Sequence, residues 1–381
     1  MKALAITSTL ALGLIAAAIG WFLLESDPLG GEPVVVLAIN PDTRPAAGSA
    51  ATEIPDVKEA TPVVPPPSAG PSQQILPAQA FSDLREKHDN DVAGSGTTPS
   101  RADEAQNIRL PPVPLRDVVE TSRYGPLPKI AADGRRPSQV YARPVNGPVN
   151  PGPGQLARIA ILVTGLGLSE VATTQAIDSL PGPVTLAFGP YGHNLESWVR
   201  KARDRGHEVM LQVPLEPFDY PDNDPGPHTL LTSLPPDENT KRLHWIMSRF
   251  TGYTGITNHM GAKFTAAQDS FLPVLEEVKS RGLIYLDDGT AAHSTAAQIA
   301  RDLGVDYSVS QVTIDAERNT KEIGLALTKL EALAKENGFA IGIGSSLPLT
   351  IGQIAEWVST LKDKGIELIP ISAAVRSDRQ T

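Results

Sequence analysis

Cysteine is absent from the 381 residues, which removes disulfides, thiol nucleophiles and thiolate metal sites from consideration. Any metal would have to be held by histidine, aspartate or glutamate. Basic residues are also in short supply: 33 Lys and Arg stand against 43 Asp and Glu, a formal net charge of -10. That balance argues against a nucleic-acid partner, because neutralising phosphates needs a basic surface. Two catalytic signatures are missing as well. Ser345-Ser346 is not set in a Gly-x-Ser-x-Gly elbow, and Thr164-Gly-Leu-Gly167 lacks the spacing of a dinucleotide fingerprint.

What the chain has in surplus is Pro (35) and Gly (32), too many for one uniformly packed globule. Residues 3–24 form an uncharged, largely apolar run, preceded by Lys2 and followed by Glu25 and Asp27. The run is long enough to span a bilayer, and its length and the Trp21-Phe22 pair near its end favour an uncleaved membrane anchor over a cleaved signal peptide. With Lys2 the only nearby base, residues 1–24 are expected to anchor in the inner membrane and leave the bulk of the chain in the periplasm. Residues 25–155 are rich in Pro, Ala and Gly and show no period of 3.6 or 2, so a disordered tether is expected. Within it, residues 124–144 carry Tyr124, Tyr141 and several arginines. This stretch is either an ordered strap along the folded domain or plain linker.

Residues 156–375 alternate between apolar runs and helix-spaced segments, and 376–381 are read as a tail. The strand-like runs are 159–163, 184–188, 209–213, 253–257, 283–286, 305–308, 340–343 and 367–369. Between them, Leu195, Trp198, Val199 and Ala202 share one helical face, as do Leu243, Ile246, Met247 and Phe250. Helices over 271–279 and 354–364 are expected to end in basic turns before Gly282 and Gly365. The repeated strand-helix order predicts an α/β fold, a distorted (β/α)7–8 barrel with its site on the loops at the strand C-termini. Those loops hold Thr164-Gly165, Tyr191, Gln212 to Glu216, Asp222-Asn223, Asn258-His259, Asp287-Asp288 and Ser345-Ser346.

Several motifs in this region occur in an ordered series: Leu-Gly-Leu-Ser at 166–169, Pro-Val-Thr-Leu-Ala-Phe at 183–188, Gly-His-Glu-Val at 206–209 and Pro-Leu-Glu-Pro at 214–217. Tyr-Pro-Asp-Asn-Asp-Pro-Gly-Pro-His-Thr-Leu-Leu at 220–231 and Asn-His-Met-Gly at 258–261 complete the series. Together they resemble the divergent polysaccharide deacetylases of bacterial envelopes. The resemblance implies a barrel related to glycan deacetylases, in which a divalent metal, usually zinc, activates a water with help from a carboxylate base. It also implies an Asp-Asp pair where Thr164 and Gly165 stand, a histidine at Gln212, and a Gly-His-Pro-His stretch where this chain has Gly344-Ser345-Ser346-Leu347. Of the implied set, only His259 is present.

Neutral hydroxyls and amides neither compensate a divalent charge nor take a proton near neutral pH. The leading expectation is therefore a catalytically degraded member that needs no cofactor and binds an envelope glycan or an envelope protein. Its binding candidates are Thr164, Tyr191, Gln212, Asp222, Asn223, Asn258 and Ser345. The competing expectation is an active deacetylase with a rebuilt zinc or other divalent-metal site. Its catalytic candidates are His259, Asp287 and Asp288, with Glu216 as an added acid or base and His259 as the metal ligand. A third reading treats the domain as an envelope scaffold docked through 124–144.

Overall fold

The structure, a computed structural model, describes Ile108, residues 110–145 and residues 156–378, the side chains of 376–378 excepted. The expected membrane anchor at 1–24, the tether up to residue 107 and the last residues of the expected tail lie outside the described residues. Among the described residues, no helix is long and apolar enough to cross a membrane.

Residues 110–145 are built on hydrogen bonds more than on an apolar core. Strand β1 (Val119–Ser122) pairs with β2 (Gly125–Pro128) as a hairpin, and one helical turn, α1 (Pro137–Val140), begins with a proline where no N–H is needed. Buried arginines from later in the chain hold this stretch. Arg203 donates to the carbonyls of Tyr141 at 3.0 Å and Pro111 at 3.2 Å, and Arg281 donates to the carbonyl of Pro128 at 2.7 Å. Tyr141 is itself buried, and its hydroxyl accepts from the Leu115 N–H at 3.1 Å.

From residue 156 the elements run β3 (Ala157–Leu166), α2 (Glu170–Ser179), β4 (Thr185–Phe188), α3 (Leu195–Asp204), β5 (Val209–Leu215), α4 (Pro236–Met247) and β6 (Gly255–Met260). Then come α5 (Ala262–Ala266), α6 (Gln268–Ser280), β7 (Ile284–Asp287), α7 (Ala296–Leu303), β8 (Asp306–Val309) and β9 (Val312–Thr313). The series ends with α8 (Thr320–Asn337), β10 (Phe339–Ser345), α9 (Pro348–Val358), β11 (Ile366–Ile369) and α10 (Ile371–Asp378). Two helices start at side-chain caps, with Ser169 accepting from the Ala172 N–H and Asn319 from the Glu322 N–H. The helix expected to reach residue 364 stops at Val358, and turns fill the gap before Gly365, whose φ of 70° suits glycine. The expected tail at 376–381 is helical as far as Asp378.

Strands β3 to β11 form one parallel sheet in the order β8-β7-β6-β5-β4-β3-β10-β9, with β11 beside the first half of β3. The distorted (β/α)7–8 barrel of the sequence reading is here a curved, half-barrel parallel sheet of nine strands with an interrupted seam. Both ends of the path lie on the segment 306–313. Within it, Ser310 N–H donates to the Asp287 carbonyl on β7 and Gln311 N–H to the Ile341 carbonyl on β10, each at 3.0 Å.

Parity along the strands sorts the core into two layers. Ile159, Ile161 and Val163 of β3 join the large outer cluster under the helices, while Ala160 and Leu162 join an inner one. That explains the unbroken apolar run of β3: both of its faces are covered. The inner cluster contains Met210, Ile284, Leu286, Ile341 and Ile343, and α10 adds Ile371, Ala373, Ala374 and Val375 to it. The C-terminal helix thus fills the interior at the end where the strands begin. Glu208, fully buried there, accepts from the Ser372 N–H and hydroxyl and pins the helix start.

Candidate functional site

Above that apolar plug, the inner face of the sheet turns polar near the strand C-termini. On β3 the inward series runs Ala160, Leu162, Thr164, and on β5 it runs Met210, Gln212. On β10 it runs Ile341, Ile343, Ser345, and β7 continues from Ile284 and Leu286 to Asp288 just past the strand end. The phase of β6 gives Thr257 and then His259, since Thr257 is in register with Gln212 on one side and Leu286 on the other. The sequence therefore builds a polar mouth by changing residue type on strands whose periodicity is unchanged.

Around β3 the mouth groups are bonded to one another. The Gly165 N–H donates to the Gln212 amide oxygen at 2.6 Å. The Ser346 N–H donates to the Thr164 carbonyl at 2.9 Å and its hydroxyl to the Gly165 carbonyl at 3.2 Å. Thr164 is half-buried and its hydroxyl donates to the Gly344 carbonyl at 3.3 Å. Ser345, through both its N–H and its hydroxyl, donates to Asp315 Oδ2, which also accepts from Thr350 at 2.8 Å. Asp315 is a mouth residue that the sequence reading missed. It follows a two-residue strand in an irregular stretch, so no apolar run pointed to it.

His259 and Asp288 share the β6–β7 side of the mouth. His259 is exposed at the mouth, yet desolvation by neighbouring groups lowers its imidazole below the usual value, with the Asp288 charge opposing. Their sequence neighbours face the other way. Asn258 is buried, and its oxygen accepts from the Asp288 N–H at 2.9 Å and the Tyr285 hydroxyl at 3.2 Å, while its amide donates to the Met260 carbonyl. Asp287 is buried and accepts from the Gly289 N–H at 3.0 Å and the Ser294 hydroxyl at 2.6 Å. Burial raises its carboxyl above the usual range, against the bonds from Ser294 and Gly289. Both side chains staple turns, and the His259, Asp287 and Asp288 set does not converge.

The remaining candidates lie around the rim. Glu216 is buried and bonded to Lys263 at 2.7 Å and to the Thr232 N–H at 2.6 Å. Burial would raise its carboxyl, but the Lys263 ammonium and the two Thr232 donors outweigh that and leave it lowered. The Tyr191 hydroxyl accepts from the His228 N–H at 3.1 Å, and beside it His228 stacks on Trp245 with ring centroids 3.6 Å apart. Asp222 and Asn223 sit in an exposed loop, where the Asn223 amide donates to the Asp219 carboxylate.

A catalytic zinc takes three protein ligands and leaves one position open. Among the described residues, no group of three or more His, Asp or Glu side chains is placed to hold a metal. At the positions where the resemblance implies ligands, the Gln212 amide and the Gly165 N–H are committed to each other, and Ser345 is committed to Asp315. The side chains present do not fit a resident zinc.

The profile of one family, described as divergent polysaccharide deacetylase, matches residues 161–375. The uncharacterized protein YibQ of Escherichia coli (strain K12) is 25% identical over 204 residues, which cover 54% of this chain and 63% of that relative, less than two thirds of its length. A Haemophilus influenzae protein is 21% identical over 224 residues, covering 58% of this chain and 78% of its own. The crystal structure of protein ATU2773 from Agrobacterium tumefaciens C58 is 41% identical and superposes with a TM-score of 0.63 over 66% of this chain and 99% of its own. The chain belongs to the divergent polysaccharide deacetylase family.

Proposed function

We propose that the mouth of this barrel-like domain binds an envelope glycan without deacetylating it, in a protein tethered in the inner membrane by residues 1–24 and facing the periplasm. The observation that carries the reading is the bond between Gly165 N–H and the Gln212 amide oxygen at 2.6 Å. Two positions expected to supply metal ligands instead close on each other as neutral groups, and Ser345-Ser346 completes the neutral wall. Such a wall offers hydroxyls and an amide to sugar hydroxyls, and none of the side chains at the expected ligand positions carries a charge to hold a metal. The test is titration of the full chain with N-acetylated chitooligosaccharides and peptidoglycan fragments, alongside acetate release with added zinc or cobalt. Binding without acetate release is expected. Metal-dependent release abolished by His259→Ala would overturn the reading.

One observation favours the competing enzyme reading: His259 and Asp288 face the mouth from the neighbouring strands β6 and β7. Those two groups fall short of the three ligands a catalytic zinc takes, so the binding reading is preferred.

A further inference from the structure

Hydrogen-bond donors and acceptors are unequally available at the mouth. Of its backbone N–H groups, Gly165 serves Gln212, Ser346 serves Thr164, Ser345 serves Asp315, Gly289 serves Asp287 and Thr290 serves Asp288. The acceptors are less committed. Among the described residues, Asp315 receives three donors on Oδ2 and none on Oδ1, and Asp288 receives Thr290 on Oδ1 and none on Oδ2. An acetamide carbonyl needs a donor, which the committed backbone leaves to side chains such as Gln212 and His259, whereas an ammonium needs oxygen acceptors.

Charge points the same way. The loops at the strand C-termini carry Asp219, Asp222, Asp224, Asp288, Asp315 and Glu317 against Arg318; Lys263 is already paired with Glu216 at 2.7 Å, and Arg242 and Arg249 are bonded to the loop carbonyls of Thr229 and Pro190. A second observation marks the space within this ring. Thr257 is fully buried, faces the interior one inward position below His259, and its hydroxyl has no hydrogen-bond partner. A buried hydroxyl without a partner is the signature of a place for a ligand or water hydroxyl.

The rim adds an apolar component. Five of the eight exposed large hydrophobic side chains stand on strand C-terminal loops or the helix starts that follow them: Leu168 (63% exposed), Val171 (76%), Phe218 (69%), Met260 (39%) and Leu349 (40%). Scattered exposed apolar residues are ordinary, but this concentration at one end of the sheet makes a collar that suits the C–H faces of a pyranose ring.

We infer that the ligand of the mouth is a de-N-acetylated hexosamine oligomer, its ammonium groups received by Asp315 and by Asp288 and its ring faces by the Phe218 and Met260 collar. The inference rests on the glycan-binding reading above and names the member of that class the site takes. Gln212, through its amide nitrogen, and His259 remain for ring hydroxyls.

Calorimetric titration of the full chain with three tetramers tests this: fully acetylated chitotetraose, its fully de-N-acetylated counterpart, and tetralysine as a cation without pyranose faces. The de-N-acetylated tetramer is expected to bind at least about tenfold tighter than the other two, the effect of one charge-assisted hydrogen bond. Asp315→Asn and Asp288→Asn should each weaken it by about tenfold. Asp363→Asn, an exposed acid at the opposite end of the sheet, should leave it unchanged. Circular dichroism establishes that each variant is folded, and Asp288→Asn carries the test if Asp315→Asn is not. Equal or tighter binding of the acetylated tetramer overturns the inference and leaves the glycan reading standing. Binding of neither sugar overturns both. Equal binding of tetralysine, or an equal loss in Asp363→Asn, reduces the effect to unspecific charge and overturns the inference.

Discussion

Gly165 holds the mouth together from a backbone conformation that only glycine adopts readily. Its φ is +80°, and a Cβ built there lies 3.2 Å from the Ser346 hydroxyl oxygen. An L residue in the left-handed region costs roughly 1–2 kcal/mol, whereas Gly→Ala at a compatible φ stabilises by roughly 0.4–1 kcal/mol through the unfolded chain. The two mechanisms predict opposite signs, so one substitution separates them. Gly165→Ala should destabilise the folded unit by about 1–2 kcal/mol, which moves a urea midpoint down by about 0.5 M for an m-value of about 3 kcal/mol/M. The contact with Ser346 adds little, since its hydroxyl can rotate away once it gives up the Gly165 carbonyl at 3.2 Å. Gly165→Asp should fall at the low end of the same range, because aspartate tolerates this region better than alanine. Repeating the pair in a Ser346→Ala background removes the contact and leaves the backbone cost. A Gly165→Ala midpoint equal to or above that of the parent would refute the reasoning, and with it the idea that the turn is held left-handed.

Three further outcomes follow from buried polar groups. Arg203→Met should lower stability by about 3–5 kcal/mol, because the carbonyls of Tyr141 and Pro111 and the Glu208 charge all lose a buried partner; urea unfolding, together with faster proteolysis within 110–145, measures it. Burial acts against the Glu277 carboxylate, but His244 and Arg281 outweigh it and hold its pKa at about 2. Its stabilisation is therefore complete above the unfolded value of about 4.3 and is lost as pH falls toward about 2, so Glu277→Gln should flatten the acid limb of a stability-against-pH curve. For Asp287 the sign reverses. Its carboxyl is raised by burial, so the folded state binds the proton more tightly and stability falls as pH rises from the ordinary aspartate value through the raised one; Asp287→Asn should remove this slope.

The sheet was legible because its strands are covered on both faces, and such strands spell themselves as apolar runs. Strand β9 was not, since Val312–Thr313 is too short to make a run and is fixed by its neighbour β10. The same brevity hid Asp315. For 124–144 the choice between ordered strap and plain linker stayed open for a different reason: Arg203 and Arg281 reach residues 110–145 from distant parts of the chain, which local composition does not show. The site candidates were legible one residue at a time but not as pairs. Asp287 and Asp288 read as a pair and Asn258 and His259 as neighbouring candidates, yet adjacent strand residues point to opposite faces. His259 and Asp288 face the mouth, so Asn258 and Asp287 turn outward and staple loops. Counting parity back from the apolar residues would have separated them. On β3 the alternation breaks where the register shifts between Val163 and Leu166 and Gly165 turns left-handed. A bulge of this kind lets two consecutive residues address one face. The fold therefore keeps, at Thr164 and Gly165, a place where a neighbouring pair could have presented two ligands together, and the chain fills it with a hydroxyl and a bare backbone.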